Sequence, residues 1–276
     1  MARILLTFAA SSMRRLPWSA SLLLVLALSW CAPAYAVPPE LQHFALPNGE
    51  IMDVRVVHAN GPDLILWLPC DQGIGSAELQ AAQDIGAHHG TEVWLADILG
   101  TYFMPVAPSS MRQIQGEEVL AVLQHLADTT DKRIFLVSAG FGSIPTLRGV
   151  RDWHRATAGT PRERRLGGIV LLYPELHARE PEPGKPMEYL PIVDETSTPL
   201  AILQPALTPG RFWLDPLVKR LEAGGSTVHT HILPKVRGYF FVRTNPSEAE
   251  IEATRALPDL IVSAIDELKN AAGSPP

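Results

Sequence analysis

Short apolar runs alternate with amphipathic segments along most of the chain. The runs at 63–69 (DLILWLP) and 167–174 (GGIVLLYP) are almost continuously apolar, which is typical of strands buried on both faces. The segment 116–128 (GEEVLAVLQHLAD) instead repeats its apolar residues every three or four positions, as an amphipathic helix does. Asn48-Gly49, between two alternating segments, predicts a hairpin before the first run. This order predicts an α/β fold with an antiparallel start and a mostly parallel sheet that carries helices on both faces.

The N-terminal residues have the composition of an export signal. Two arginines precede the apolar run 21–30 (SLLLVLALSW), and the small residues of 32–36 (APAYA) form a cleavage site. We therefore expect 1–36 to be a signal peptide, with Met13 as an alternative start, and 37–276 to be a single folded domain. The predicted location is the periplasm or the outside of the cell.

The charge, the apolar runs and the cysteine count of the chain argue against several kinds of partner and bond. Three of the 23 Lys and Arg residues and none of the 29 Asp and Glu residues lie before residue 37, so the predicted domain has an excess of acid. This excess argues against nucleic acid or an anionic membrane as a partner. No later apolar run is long enough to span a bilayer. Cys70 is the only cysteine after residue 36, so we expect no internal disulfide, and no cofactor is predicted.

The run 133–143 (RIFLVSAGFGS) passes from an apolar strand into a glycine-rich turn. A nucleophile elbow has the form G-x-S-x-G between a strand and a helix, and its flanking residues must be small because the backbone and the helix approach closely. On that frame Ser138 takes the first small position, Gly140 the nucleophile position and Gly142 the last glycine. The backbone requirements are met, but the nucleophilic side chain is absent.

The order of elements around this turn resembles the α/β-hydrolase fold over nearly all of 37–276. The segment 64–80 resembles the third strand and the loop that usually carries an oxyanion donor, and 91–100 resembles the fourth strand. The segments 198–209 and 226–241 resemble the seventh and eighth strands, after which the family places its acid and its histidine. The resemblance implies one domain built on an eight-stranded, mostly parallel sheet.

The catalytic side chains that the resemblance implies are altered at three places. Gly140 replaces the nucleophile, and the acid position offers Thr208, with Asp215 seven residues later. The loop 235–238 (KVRG), at the histidine position, has no histidine. A serine hydrolase needs its nucleophile and base within hydrogen-bond reach, so we expect the ordinary serine chemistry to be lost.

Three other side chains near the turn are candidate nucleophiles. Ser138 and Ser143 flank it, and Cys70 ends the third strand at the edge where such folds place their ligand. Each also has a structural interpretation, since position 138 points into the packing of the sheet, position 143 lies one turn into the helix, and a free cysteine is usually buried. His229 and His231 share one face of a strand, a spacing that suits a metal, but no third ligand is evident and no metal site is predicted.

Loops at the carboxyl edge of the sheet carry aromatic residues. The loop 175–198 is longer than most connections, which favours a binding role, and 100–105 and 237–243 bring aromatic side chains to the same edge. These loops predict one groove for a peptide or small ligand, although the same residues would also serve to cover the sheet. The predicted ligand-binding residues are Cys70, Asp71, Tyr102, Phe103, Phe141, Tyr189, Arg237 and Tyr239.

The sequence is compatible with three functions. The favoured one is an exported, non-catalytic protein of α/β-hydrolase fold that binds a small ligand, a peptide or an exported protein at the carboxyl edge of the sheet. The alternative is an esterase or peptidase with an unorthodox nucleophile, namely Ser138, Ser143 or Cys70. The third is an assembly partner of another exported protein, with Cys70 or the aromatic loops at the contact.

Overall fold

Eight strands form one sheet within residues 38–182 and 184–273, the part of the chain that the computed structural model describes. The predicted signal peptide 1–36 and the alternative start Met13 lie outside these residues. The strands are β1 (Glu40–Ala45), β2 (Ile51–Val57), β3 (Asp63–Leu68), β4 (Glu92–Ala96), β5 (Arg133–Ala139), β6 (Leu166–Leu172), β7 (Leu200–Pro205) and β8 (Val228–Leu233).

The sheet has the strand order β1-β2-β4-β3-β5-β6-β7-β8. β1 and β2 pair antiparallel, β2 is antiparallel to β4, and β3 to β8 all run parallel. The predicted antiparallel start and mostly parallel sheet are therefore confirmed. Carboxyl ends of parallel strands meet at one edge, so the loops after β3, β5, β6 and β8 are neighbours there.

Helices cover both faces of the sheet, as predicted. They are α1 (Ser76–His89), α2 (Ile98–Thr101), α3 (Pro108–Gln113), α4 (Glu117–Thr129), α5 (Ser143–Thr157), α6 (Gly210–Ala223), α7 (Glu248–Arg255) and α8 (Leu257–Gly273). Apolar residues of α1 and α8 pack on one face, and those of α4, α5 and α6 pack on the other. Among the described helices, none combines the length and the apolar composition that crossing a membrane requires.

Side chains of the central strands point alternately to the two faces. Along β3, Leu64, Leu66 and Leu68 belong to the core beneath α4 and α5. Ile65 and Trp67 belong to the core beneath α1 and α8. All five are at most 1% exposed, because helices shield both faces. This explains why the strand reads as a continuous apolar run, and it holds the carboxyl end of β3 rigidly beside that of β5.

Candidate functional site

The turn after β5 has the backbone of a nucleophile elbow. β5 ends at Ala139, a 3₁₀ turn spans Gly140–Gly142, and α5 begins at Ser143. Gly140 has a φ of +52°, in the left-handed region that glycine adopts without steric cost. A Cβ placed on Gly142 would lie 2.2 Å from the carbonyl oxygen of Pro69, so the start of the helix touches the end of the neighbouring strand. The left-handed backbone therefore favours glycine at position 140, and the close contact requires a residue without a Cβ at position 142.

A tyrosine and an aspartate fill the space above Gly140. A Cβ placed on this glycine would lie 3.0 Å from the hydroxyl oxygen of Tyr239 and 3.3 Å from Oδ1 of Asp71. The Tyr239 hydroxyl donates a hydrogen bond of 2.7 Å to that same Oδ1. In the described chain, the position expected for a nucleophile is thus occupied by a Tyr239–Asp71 pair that comes from two other loops.

Tyr239 belongs to the loop in which the family resemblance implies the histidine. Its φ is +57°, which is uncommon for a residue other than glycine, and its ring lies 5.1 Å from that of Tyr173. Burial, together with the hydrogen bond to the Asp71 carboxylate, raises the pKa of Tyr239 far above its ordinary value. The phenol is therefore a neutral hydrogen-bond donor at physiological pH and not a base.

The loop after β3 carries both Asp71, which accepts the hydrogen bond from Tyr239, and Cys70. Asp71 is buried, and its Oδ2 accepts a hydrogen bond of 3.0 Å from the side chain of Gln72. The Cys70 Sγ accepts a contact of 3.4 Å from the backbone N–H of Gln72 and is 1% exposed. Burial raises the pKa of the Cys70 thiol to about 12, so the thiolate that nucleophilic chemistry needs is not formed near neutral pH.

The two serines beside the turn are fully enclosed. Ser138 and Ser143 both have no exposed surface, and neither hydroxyl has a hydrogen-bond partner within the described residues. Ser138 lies in β5 opposite Leu68 and Leu171, in the middle of the sheet. In this arrangement a substrate cannot reach either hydroxyl, and no histidine is bonded to either one.

A histidine–glutamate pair next to the turn was not anticipated from the sequence. The backbone N–H of Glu175 donates to the Gly140 carbonyl at 3.1 Å, and its Oε2 lies 3.1 Å from Nδ1 of His177. The His177 ring lies 5.4 Å from that of Phe141, and Arg112 donates a hydrogen bond of 2.7 Å to the His177 carbonyl. The only sequence signal was a histidine shortly after a strand that ends at the same edge as β5.

An open cleft with a volume of about 700 Å³ lies beside the Tyr239–Asp71 pair. Most of its lining residues have polar side chains, among them Asp71, Gln72, Arg237, Tyr239, Arg243 and Asn245. Arg237 is held by two hydrogen bonds of 2.6 Å to the carboxylate of Glu250, which has no exposed surface. Arg243 donates through Nε to the Gly238 carbonyl at 3.1 Å, and the same nitrogen lies 3.8 Å from Oε1 of Glu250; its terminal nitrogens make no hydrogen bond within the described chain. The cleft therefore offers one fixed cation and one available cation.

Glu250 makes stability depend on pH in the acid range. Hydrogen bonds from Arg237 lower the pKa of Glu250 to about 2, from an ordinary value of 4.5. A carboxyl with a lowered pKa stabilises the folded state above its ordinary pKa, and this contribution is lost as pH falls from about 4.5 toward about 2. We expect Glu250→Gln to be less stable than the natural protein at neutral pH. Between about pH 4.5 and pH 2 its stability should fall less steeply than that of the natural protein. Urea midpoints from pH 7 to pH 2 test this, with the exposed Glu252→Gln as control; parallel curves for Glu250→Gln and the natural protein would contradict it.

The other predicted ligand-binding aromatic residues do not meet at this cleft. The Tyr102 hydroxyl donates to Glu118 at 2.8 Å, which joins the loop after α2 to α4. Phe103 lines a different cavity, and the Tyr189 hydroxyl donates to the carbonyl of Trp213 at 2.8 Å. The structure thus places Asp71, Arg237 and Tyr239 at the cleft, with Cys70 next to Asp71 and Phe141 next to Gly140 in the chain, whereas Tyr102, Phe103 and Tyr189 are not among its lining residues.

The two histidines of β8 face a glutamate. Nδ1 of His229 lies 3.2 Å from Oε1 of Glu267, and Nε2 of His231 lies 2.7 Å from Oε2 of the same residue. No group of three or more side chains among the described residues is arranged to hold a metal ion. Asp215, the displaced candidate acid, lies within α6 and pairs with Arg211 at 3.7 Å.

Solved structures of esterases match this chain along most of its length. A bacterial heroin esterase matches with a TM-score of 0.61 at 16% identity, covering 91% of this chain and 90% of that chain. An esterase from Pyrobaculum calidifontis matches with a TM-score of 0.61 at 14% identity, covering 93% of this chain and 92% of that chain. This chain has the α/β-hydrolase fold.

A third solved structure also matches along most of both chains. A hormone-sensitive lipase from a metagenome library matches the α/β-hydrolase fold of this chain with a TM-score of 0.60 at 18% identity, covering 92% of this chain and 93% of that chain. No family model and no curated protein matches the sequence. At these identities the likeness establishes the α/β-hydrolase fold alone, because one fold carries many different reactions.

Proposed function

We propose that this protein binds a polar small ligand or peptide in the cleft beside Tyr239 and does not catalyse serine-type hydrolysis. The observation that carries the proposal is the occupied space above Gly140. The nucleophile position has no side chain, and the residue from the histidine loop is a neutral phenol bonded to Asp71. A triad needs a nucleophile and a base that touch each other, and this arrangement brings no such pair together.

The composition of the cleft supports a polar ligand. Arg243 is about one-third exposed and its terminal nitrogens face no bonding partner in the described chain, so they are available to a carboxylate, a phosphate or a carbonyl group. Asn245 and Gln72 add amide groups that donate and accept. Because Glu250 fixes Arg237 in place, part of the polar lining is organised before a ligand arrives.

A second candidate function is hydrolysis by an unorthodox mechanism. The likeness to solved esterases and to a lipase favours it, since those proteins have the same fold. The His177–Glu175 pair beside the elbow would supply a base held by a carboxylate. The nucleophile would then be Ser138, Ser143 or Cys70 after a rearrangement that exposes it.

Activity probes separate the two candidates. A fluorophosphonate labels activated serines, iodoacetamide labels thiolates, and hydrolysis of p-nitrophenyl butyrate reports turnover. We expect no fluorophosphonate labelling, labelling of Cys70 only after unfolding, and no turnover above the buffer rate. A rate above buffer that falls in His177→Ala, or labelling of Ser138, Ser143 or Cys70 that denaturation abolishes, would overturn the non-catalytic proposal and establish the hydrolase.

Binding is tested on the same protein by thermal shift. The probes are small carboxylates, inorganic phosphate, free amino acids and monosaccharides. We expect at least one class to raise the melting temperature of the natural protein and not that of Arg243→Gln. Arg211→Gln, which removes a half-buried arginine on α6 that does not line the cleft, is the matched control and should respond as the natural protein does. A response that survives Arg243→Gln places the ligand elsewhere and contradicts the assignment to this cleft.

A further inference from the structure

Phe103 occupies a backbone position that normally belongs to glycine. It follows α2, and its N–H donates to the carbonyl of Gly100 at 3.1 Å, while Met104 N–H donates to that of Leu99 at 3.0 Å. These two hydrogen bonds define a Schellman motif, in which the residue after the cap is left-handed and is most often glycine. Phe103 takes that conformation with a φ of +50°.

The Phe103 side chain is not buried, so no hydrophobic stabilisation offsets this unfavourable backbone conformation. Its exposed fraction is 93%, the highest among the exposed large apolar residues of the described chain. A left-handed phenylalanine is sterically unfavourable, and an exposed ring contributes almost no hydrophobic stabilisation. Glycine would hold the same turn at lower cost, so the stability of the free protein does not explain a phenylalanine here.

The ring borders a cavity of about 430 Å³ between the β1–β2 hairpin and α2. The second apolar side chain at its rim is Ile51, which is 60% exposed. Glu50, Asp53 and Asp97 line the same cavity, and no lysine or arginine is among its lining residues. The cavity shares no lining residue with the cleft beside Tyr239. An exposed aromatic side chain next to a depression is a typical anchor of protein–protein contacts.

We propose that this cavity docks a basic segment of a partner protein, which places an apolar side chain against Phe103 and Ile51 and its Lys or Arg side chains near Glu50 and Asp53. A basic segment fits because the charged residues that line the cavity are all acidic. A second copy of the same chain would bring carboxylates against carboxylates, which disfavours a symmetric dimer through this face. Asp53 already contacts His43 at 2.8 Å, so Glu50 is the carboxylate most available to the partner.

Peptide binding and stability together test the proposal. The probe is a short fluorescein-labelled peptide with a central tryptophan flanked by lysines and arginines, followed by fluorescence anisotropy. Its two comparison peptides carry glutamate in place of every basic residue, or alanine in place of tryptophan. We expect the basic tryptophan peptide alone to bind, and Phe103→Gly to bind it at least tenfold more weakly. The same substitution should raise the melting temperature by about 2–4 °C, because glycine suits the turn better.

Phe212→Ala is the matched control, since Phe212 is 84% exposed and lies within α6, away from this cavity. It should bind the peptide as the natural protein does. Glu50→Gln should weaken binding and reduce its dependence on salt. The proposal is overturned if the natural protein does not bind the peptide up to about 1 mM, which corresponds to about −4 kcal/mol. Equal binding by Phe103→Gly, or a dimer in sedimentation that Phe103→Gly abolishes, would overturn it as well.

Discussion

Replacement of Gly142 by alanine is expected to lower the free energy of unfolding by about 3 kcal/mol. The new Cβ would lie 2.2 Å from the carbonyl oxygen of Pro69 and 3.2 Å from its carbonyl carbon. Both are backbone atoms directly after β3, a strand paired on both sides within the sheet, so they cannot move without disturbing it. The dihedral angles of Gly142, −60° and −19°, suit any residue, so the cost comes from the contact and not from the backbone conformation.

Urea unfolding measures this effect. Gly210→Ala is the matched control, because Gly210 also lies at the start of a helix and its nearest neighbours are the side-chain ends of Thr208 and Gln204. The control should change stability by less than about 0.5 kcal/mol. A similarly small change in Gly142→Ala would mean that α5 and the end of β3 are not in close contact.

Gly140→Ser is expected to cost about 2–3 kcal/mol in the natural protein and about 1–2 kcal/mol when Tyr239 is replaced by phenylalanine. The cost of about 1–2 kcal/mol that is common to both backgrounds comes from the left-handed backbone at Gly140. The remainder comes from the Tyr239 hydroxyl oxygen, which lies 3.0 Å from the position of the new Cβ. Removing that oxygen also removes the hydrogen bond to Asp71 and lets the ring shift.

A double-mutant cycle of Gly140→Ser and Tyr239→Phe, measured by urea unfolding, gives the coupling energy directly. Gly159→Ser supplies the cost of a left-handed serine alone, since Gly159 has a φ of +71° and no atom within 4 Å of its Cβ position. We expect Gly140→Ser to match this control only in the Tyr239→Phe background. Equal costs in both backgrounds would show that Tyr239 does not occupy the nucleophile position.

The fold was predictable because it depends on patterns within single segments. A continuous apolar run such as 63–68 indicates a strand shielded on both faces, and the structure places that run inside the parallel sheet. The glycine-rich turn was predictable for the same reason. The need for a small residue at Gly142 follows from the general shape of a strand–turn–helix unit.

The site was predictable only in part. The sequence identified Gly140 and the absence of a histidine from 235–238, yet it could not place Tyr239 against Asp71, since these residues are 168 positions apart in the chain. The same limit applies to His177, whose relation to Phe141 depends on how the loop after β6 folds back over the elbow. Nor could the sequence show that Tyr102 and Tyr189 do not line the cleft beside Tyr239 and that their hydroxyl groups are bonded to Glu118 and to the Trp213 carbonyl.

By itself, the sequence determined the α/β class, the position of the elbow and the absence of a serine from it, since each depends on residues that are neighbours in the chain. Only the tertiary structure decided what replaces that serine. The hydrogen bond between Tyr239 and Asp71 joins the loops after β8 and β3, which meet above Gly140 because the carboxyl ends of parallel strands share one edge of the sheet. Whether a side chain fills that space is set by distances between loops, and no pattern within one segment encodes them.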